Sequence, residues 1–199
     1  MDEIFLAVSV SFMAFLSTSI DNLFLLVTLS VHPKYGAVQV RIGFMLAVVM
    51  MLVIALVLAQ SAQLIPTRYI PLIGLVPLSI GAYELYQLIT KKQSPADDTP
   101  VNLDKSKGTI WAVAVIMLTH SWDSIGVLAP LLADTKTSLV PWMSVSVLVT
   151  AALIIFAGQW AVSYSKLRQV LTKIAPKILP FLLMAVGVYI LSNTPTDIT

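Results

Sequence analysis

The chain has 199 residues, 58% hydrophobic and 11% charged, with a net charge of +2, whereas a typical soluble domain carries roughly 25% charged residues. A soluble globule leaves much of its surface in water and could not hide this much apolar material; a bilayer can, and so small a net charge excludes an electrostatic nucleic-acid binder. The chain has no cysteine, which excludes disulfides, Cys-type zinc sites and thiol chemistry.

Met1-Asp2-Glu3 is acidic ahead of a long apolar run. A cleaved signal peptide has a basic start and a shorter apolar core, so the run from Ile4 is expected to persist as a first helix. A crossing needs about 20 mostly apolar residues, and the segments 4–31, 38–60, 69–90, 109–133, 138–162 and 176–192 each qualify. The third contains Pro71 and Pro77. The one long hydrophilic stretch, 91–108, reads as a solvated loop rich in Lys, Asp and Pro. The expected fold is therefore an all-α integral membrane protein of six transmembrane helices. It divides into a first three-helix unit (1–90), a loop (91–108) and a second three-helix unit (109–199).

The basic residues orient it. With six crossings, the side holding both termini carries Arg68 and Lys136, and the other side carries the remaining ten of twelve. The Lys/Arg-rich side is expected to be cytoplasmic, which makes 91–108 a cytoplasmic loop and leaves both termini outside.

The two units resemble each other. Thr18-Ser19-Ile20-Asp21-Asn22 aligns with His120-Ser121-Trp122-Asp123-Ser124, and Ile80-Gly81-Ala82-Tyr83-Glu84-Leu85 with Val186-Gly187-Val188-Tyr189-Ile190-Leu191. An odd number of helices per unit turns the second copy upside down. Inverted repeats with a site near the midplane are a recurring transporter plan.

Asp21 and Asp123 are the sharpest feature, since an aspartate inside a crossing costs about 2.5–3.5 kcal/mol on insertion scales and usually faces an interior or a water-filled cavity. Thr18, Asp21 and Asn22 share one helix face, as do His120, Asp123 and Ser124. These six side chains supply the oxygen and nitrogen donors that a divalent cation requires. Gly126 and Pro130 are expected to loosen the fourth helix and free carbonyls as further ligands. The plainer alternative is that each aspartate only ties helices together. Glu84 fits a snorkelling role near Lys91 and Lys92. Met13 and Met117 offer thioethers to a soft metal or simply pack. Trp111, Trp142 and Trp160 suit interface positions, and Trp122 is expected to be deeper, shaping a cavity beside Asp123.

Thr18-Ser19-Ile20-Asp21-Asn22-Leu23, Ile70-Pro71-Leu72-Ile73-Gly74-Leu75-Val76-Pro77-Leu78-Ser79-Ile80-Gly81 and Asp123-Ser124-Ile125-Gly126-Val127 resemble the cadmium resistance transporters (CadD type) of the lysine exporter superfamily. The resemblance implies a multi-pass exporter of divalent cations in the bacterial plasma (inner) membrane, with Asp21-Asn22 and Asp123-Ser124 as paired cation-binding elements. Two positions depart from the family pattern. Asp123-Ser124 stands where Asp-Asn is common, and Thr119-His120-Ser121 where some members carry a cysteine. Oxygen donors suit Mn²⁺, Mg²⁺ or Ca²⁺, while His120 and Met117 keep cadmium open.

The expected substrate is thus a divalent cation bound by Asp21, Asn22, Asp123, Ser124, Thr18 and His120, with no cofactor and with protons as counter-ion. No nucleotide-binding motif points to ATP. Oligomeric state is left open. The alternatives are export of a small amino acid or organic cation, and, in another class, an intramembrane aspartyl-type enzyme or a structural membrane subunit.

Overall fold

In the computed structural model, which describes residues 2–31, 35–62, 64, 67–90, 109–163, 180–181 and 183–192, there is no strand among the described residues. The order is α1 (Asp2–Thr18), α2 (Ile20–Val31), α3 (Ala37–Ala62), a 3₁₀ segment (Thr67–Gly74), α4 (Leu75–Ile89), α5 (Ile110–Thr119), α6 (Trp122–Asp134) and α7 (Val140–Ser163). Residues 183–191 are also helical.

Two helices are long and apolar enough to cross a bilayer unbroken: α3 and, within α7, Val140–Trp160. Two further crossings are available as bent pairs, α1 with α2 at 54° and α5 with α6 at 69°. The described residues therefore hold two to four candidate crossings. The expected third crossing is divided into 3₁₀ and α portions. Pro71 falls in the 3₁₀ segment and Pro77 in the first turn of α4, where a missing N–H forfeits no intrahelical bond. The loop 91–108, His32 and most of the basic residues used for orientation lie outside the described residues. Of the expected sixth crossing, 180–181 and 183–192 are described.

The packing is reciprocal. Helix α3, from the first unit, lies chiefly against α5 and α6 of the second, while α7 of the second lies against α1 and α2 of the first. In lipid, helices associate through close van der Waals packing, which favours small residues at the contact. Gly43 meets Val113 and the Ile110 carbonyl so closely that an added Cβ would sit 2.7 Å from Val113 Cβ. The glycines of the second repeated motif do the same. Gly81 abuts Met184 and the Pro180 carbonyl, and Gly187 abuts Leu78, so α4 and the 183–191 helix run antiparallel.

Large side chains such as Phe15, Phe44, Met51, Met117, Leu128 and Leu131 fill the interior between these helices. The outward faces of α3 and α7 remain apolar, with Val53, Val57, Val149, Leu153 and Phe156 exposed. A helix that is apolar on all sides suits a lipid surround. At one end of the bundle Lys136 Nζ lies 3.2 Å from Glu3 Oε1. The start of α1 and the turn after α6 therefore share a side.

Candidate functional site

The two helix breaks fall on the matched motifs. Ser19 N donates to Phe15 O, closing α1, and Ser19 O accepts from Leu23 N, opening α2. In the second unit, Ser121 N donates to Leu118 O, and Ser121 O accepts from Ile125 N. Each break falls within a run of three polar residues, and side chains of that run compete for the backbone. Ser17 Oγ donates to Ala14 O at 2.8 Å, and Thr18 Oγ1 to Ala14 O and Phe15 O, each at 3.2 Å. Likewise Thr119 Oγ1 donates to Ile116 O and Ser121 Oγ to Met117 O, both at 2.8 Å. Helix breakage within an apolar chain is tolerated where nearby side chains re-satisfy the freed backbone groups.

These breaks differ from the expected continuous first and fourth helices. The fourth does not open at Gly126 or Pro130; α6 runs unbroken through both. The break lies earlier, at His120-Ser121. As a consequence, Asp21 and Asp123 sit in the first turns of α2 and α6, where a negative side chain complements the positive end of the helix dipole.

The two breaks touch. Asn22 Nδ2 donates to Ser121 Oγ at 3.1 Å, and Ser124 Oγ donates to Thr18 Oγ1 at 2.9 Å. Each bond joins one unit to the other. Thr18, Ser19, Asn22, Ser121 and Ser124 are all buried. Two atoms at this crossing, Ser19 Oγ and Asn22 Oδ1, have no hydrogen-bond partner among the described residues. An unpartnered buried oxygen costs about 1–3 kcal/mol, and both of these can serve as acceptors. Such a place fits a ligand that brings positive charge.

His120 Nδ1 lies 2.9 Å from Ile116 O. A carbonyl oxygen only accepts, so Nδ1 carries the proton and Nε2 of the neutral ring keeps its lone pair. This is the arrangement found in metal-ligating histidines.

Of the six expected site residues, Thr18 and Ser124 are bonded to each other, and Asn22 is bonded to Ser121. Asp21 is exposed and Asp123 half-buried. No group of three or more His, Cys, Asp or Glu side chains able to hold a metal ion exists among the described residues. The apolar clefts lined by Val8, Phe12 and Trp142 and by Leu58, Ile73 and Pro130 contain neither carboxylate. Trp122 is 70% exposed and shapes no interior cavity, contrary to expectation; Met13 is exposed too, whereas Met117 is fully buried. The side chain of Glu84 lies outside the described residues.

Ser19 and Ser121 carry no ligand signature of their own in the sequence, although the aligned polar runs Ser17-Thr18-Ser19 and Thr119-His120-Ser121 mark both breaks. Asp134, buried at the end of α6, lies outside the matched motifs.

Comparison with known families yields one finding: the family model described as "Cadmium resistance transporter" matches residues 15–197. Neither the curated proteins nor the solved structures contain a match to this chain.

Proposed function

The chain belongs to the cadmium resistance transporter family, and from that premise we propose that it is a secondary exporter of a divalent cation of the cadmium type. Six crossings form two inverted three-helix repeats in a bacterial plasma membrane, with both termini outside. The reciprocal packing of α3 and α7 supports the inverted arrangement, and so does the contact between Glu3 and Lys136 at one end.

The cation site lies between the repeats, with donors from Thr18, Asp21, Asn22, His120, Asp123 and Ser124. One observation carries this reading. The broken helices of the two repeats cross at their matched motifs, joined by the Asn22–Ser121 and Ser124–Thr18 bonds, and the buried Ser19 Oγ and Asn22 Oδ1 beside them have no partner among the described residues. Discontinuous helices that meet at a repeat interface are a common way to build a transport site.

Expelling a doubly charged ion against an inside-negative potential costs about 4.6 kcal/mol per 100 mV, since each charge costs about 2.3. Exchange for two protons cancels that electrical cost. Asp21 and Asp123, alternately cation-bound and protonated, supply two sites for such an exchange. Rocking of one repeat against the other then exposes the site to each side in turn.

The test is a metal-tolerance screen of cells expressing the wild type, Asp21→Asn or Asp123→Asn at matched membrane levels, paired with Cd²⁺ flux into inverted vesicles. Wild type is expected to confer tolerance, and its Cd²⁺ uptake to draw protons out of the lumen. Each substitution is expected to abolish both. Undiminished tolerance in both variants sinks the site. Flux indifferent to a pH gradient sinks proton exchange alone, and competition by amino acids rather than metals moves the substrate to an organic cation.

A further inference from the structure

The hydrogen-bond directions at the crossing carry more than the contacts themselves. A serine hydroxyl has one proton and two lone pairs. Ser121 spends its proton on Met117 O, so toward Asn22 it can only accept. Asn22 must therefore present its NH₂ group there, as the 3.1 Å Nδ2–Oγ contact records. The carbonyl arm of the amide then faces away from Ser121. In the reversed amide, Oδ1 would oppose a lone pair on Ser121 Oγ, exchanging a hydrogen bond for a repulsion.

The other repeat uses the same device. Thr18 spends its proton on the carbonyls of Ala14 and Phe15 and accepts the Ser124 proton. In both relays the donor hydrogens run back toward helix carbonyls, which leaves the Asn22 carbonyl arm without a donor. Asn22 Oδ1 and Ser19 Oγ, the latter outside both relays and able to accept through its lone pairs, are buried without a partner among the described residues, on residues 2% and 0% exposed.

We infer that Ser19 is a further cation ligand through Oγ, and that Ser121 is a positioning residue that turns the Asn22 amide oxygen onto the cation. The inference rests on the cation site proposed above. Ser121 touches no substrate; it acts through Asn22. A carboxylate in place of the amide presents oxygen from either arm and does not need this orientation.

That difference is the test. Initial rates of Cd²⁺ uptake into proteoliposomes are measured for Ser121→Ala in the native chain and in an Asn22→Asp background, with Ser19→Ala in both. Losing one oriented ligand is expected to raise KM for Cd²⁺ about tenfold for Ser121→Ala in the native chain, the effect of one net polar interaction. In the Asn22→Asp background the same change is expected to raise KM by less than about twofold. Ser19→Ala is expected to raise KM in both backgrounds, with kcat changed less than KM.

Equal effects of Ser121→Ala in the two backgrounds overturn the positioning role, and an unchanged KM in Ser19→Ala overturns the ligand role. Where Ser121→Ala does not fold, Ser121→Thr and Ser121→Val, which share a shape and differ by the hydroxyl, carry the same comparison. If Asp21→Asn and Asp123→Asn also transport Cd²⁺ normally, the cation-site reading itself has failed. If those two are dead while Ser121→Ala and Ser19→Ala are normal, only the present inference has.

Discussion

Ser124 Oγ donates to Thr18 Oγ1 at 2.9 Å across 106 residues of chain, with both side chains buried. Thr18 closes α1 just before its break, and Ser124 lies in the first turn of α6 just after its own. This hydroxyl–hydroxyl bond, beside that of Asn22 to Ser121, therefore joins the two helix breaks. In transmembrane proteins such bonds average about 0.6 kcal/mol, too little to hold the bundle together. Their consequence is geometric: they set which polar atoms face which.

That contact is open to direct chemical proof because the chain has no cysteine. Thr18→Cys with Ser124→Cys is expected to form an intramolecular disulfide under mild oxidant, since the replaced oxygens already touch. Protection of both thiols from a maleimide polymer added after denaturation in SDS reports the bond. Met13→Cys with Ser124→Cys, using the exposed Met13, is expected to stay fully labelled. Labelling of both thiols in the first pair after oxidation contradicts the crossing.

The glycines are expected to divide by what stands beside them. A Cβ on Gly187 would lie 2.7 Å from Leu78 N and 2.9 Å from Leu78 Cα. Backbone cannot rotate away, so Gly187→Ala must push its helix away from α4, at about 1–3 kcal/mol. A Cβ on Gly126 meets only Ile80 Cδ1, at 3.3 Å, the mobile end of a side chain. Gly126→Ala is therefore expected to be neutral or to stabilise by up to about 1 kcal/mol through helix propensity. Thermal unfolding in detergent separates them, and equal melting temperatures count against the close contact.

The ion pair between Lys136 and Glu3 is expected to matter little for stability. Its side chains are 37% and 49% exposed, and exposed pairs contribute at most about 1 kcal/mol, diminished by salt. Glu3→Gln should lower the melting temperature slightly in dilute buffer and not at all in high salt. A loss as large as that of Gly187→Ala, or one that persists in salt, contradicts this.

Much of the fold is legible in the residues alone. The apolar runs of α3 and α7 are long enough to declare themselves, and the matched Ser-x-Asp motifs single out the region where the two helix breaks meet. The breaks are harder to see. Ser17-Thr18-Ser19 and Thr119-His120-Ser121 are short polar runs inside apolar helices, and nothing in a hydropathy profile distinguishes a bent crossing from a straight one. Gly126 and Pro130 draw attention to the wrong stretch of the fourth helix because Pro and Gly are the usual causes of kinks. Here back-bonding side chains act instead. The exposure of Trp122 likewise depends on how α6 is rotated against α1 and α3.

What the sequence determined by itself was residence in a bilayer, the matched halves and the family motifs. Transfer from water to lipid accumulates residue by residue along the chain and needs no knowledge of neighbours. The tertiary structure decided that the two breaks cross and that Ser121 constrains an amide 99 residues away. Hydrogen bonds are directional and short, so which donor meets which acceptor exists only once the helices have packed.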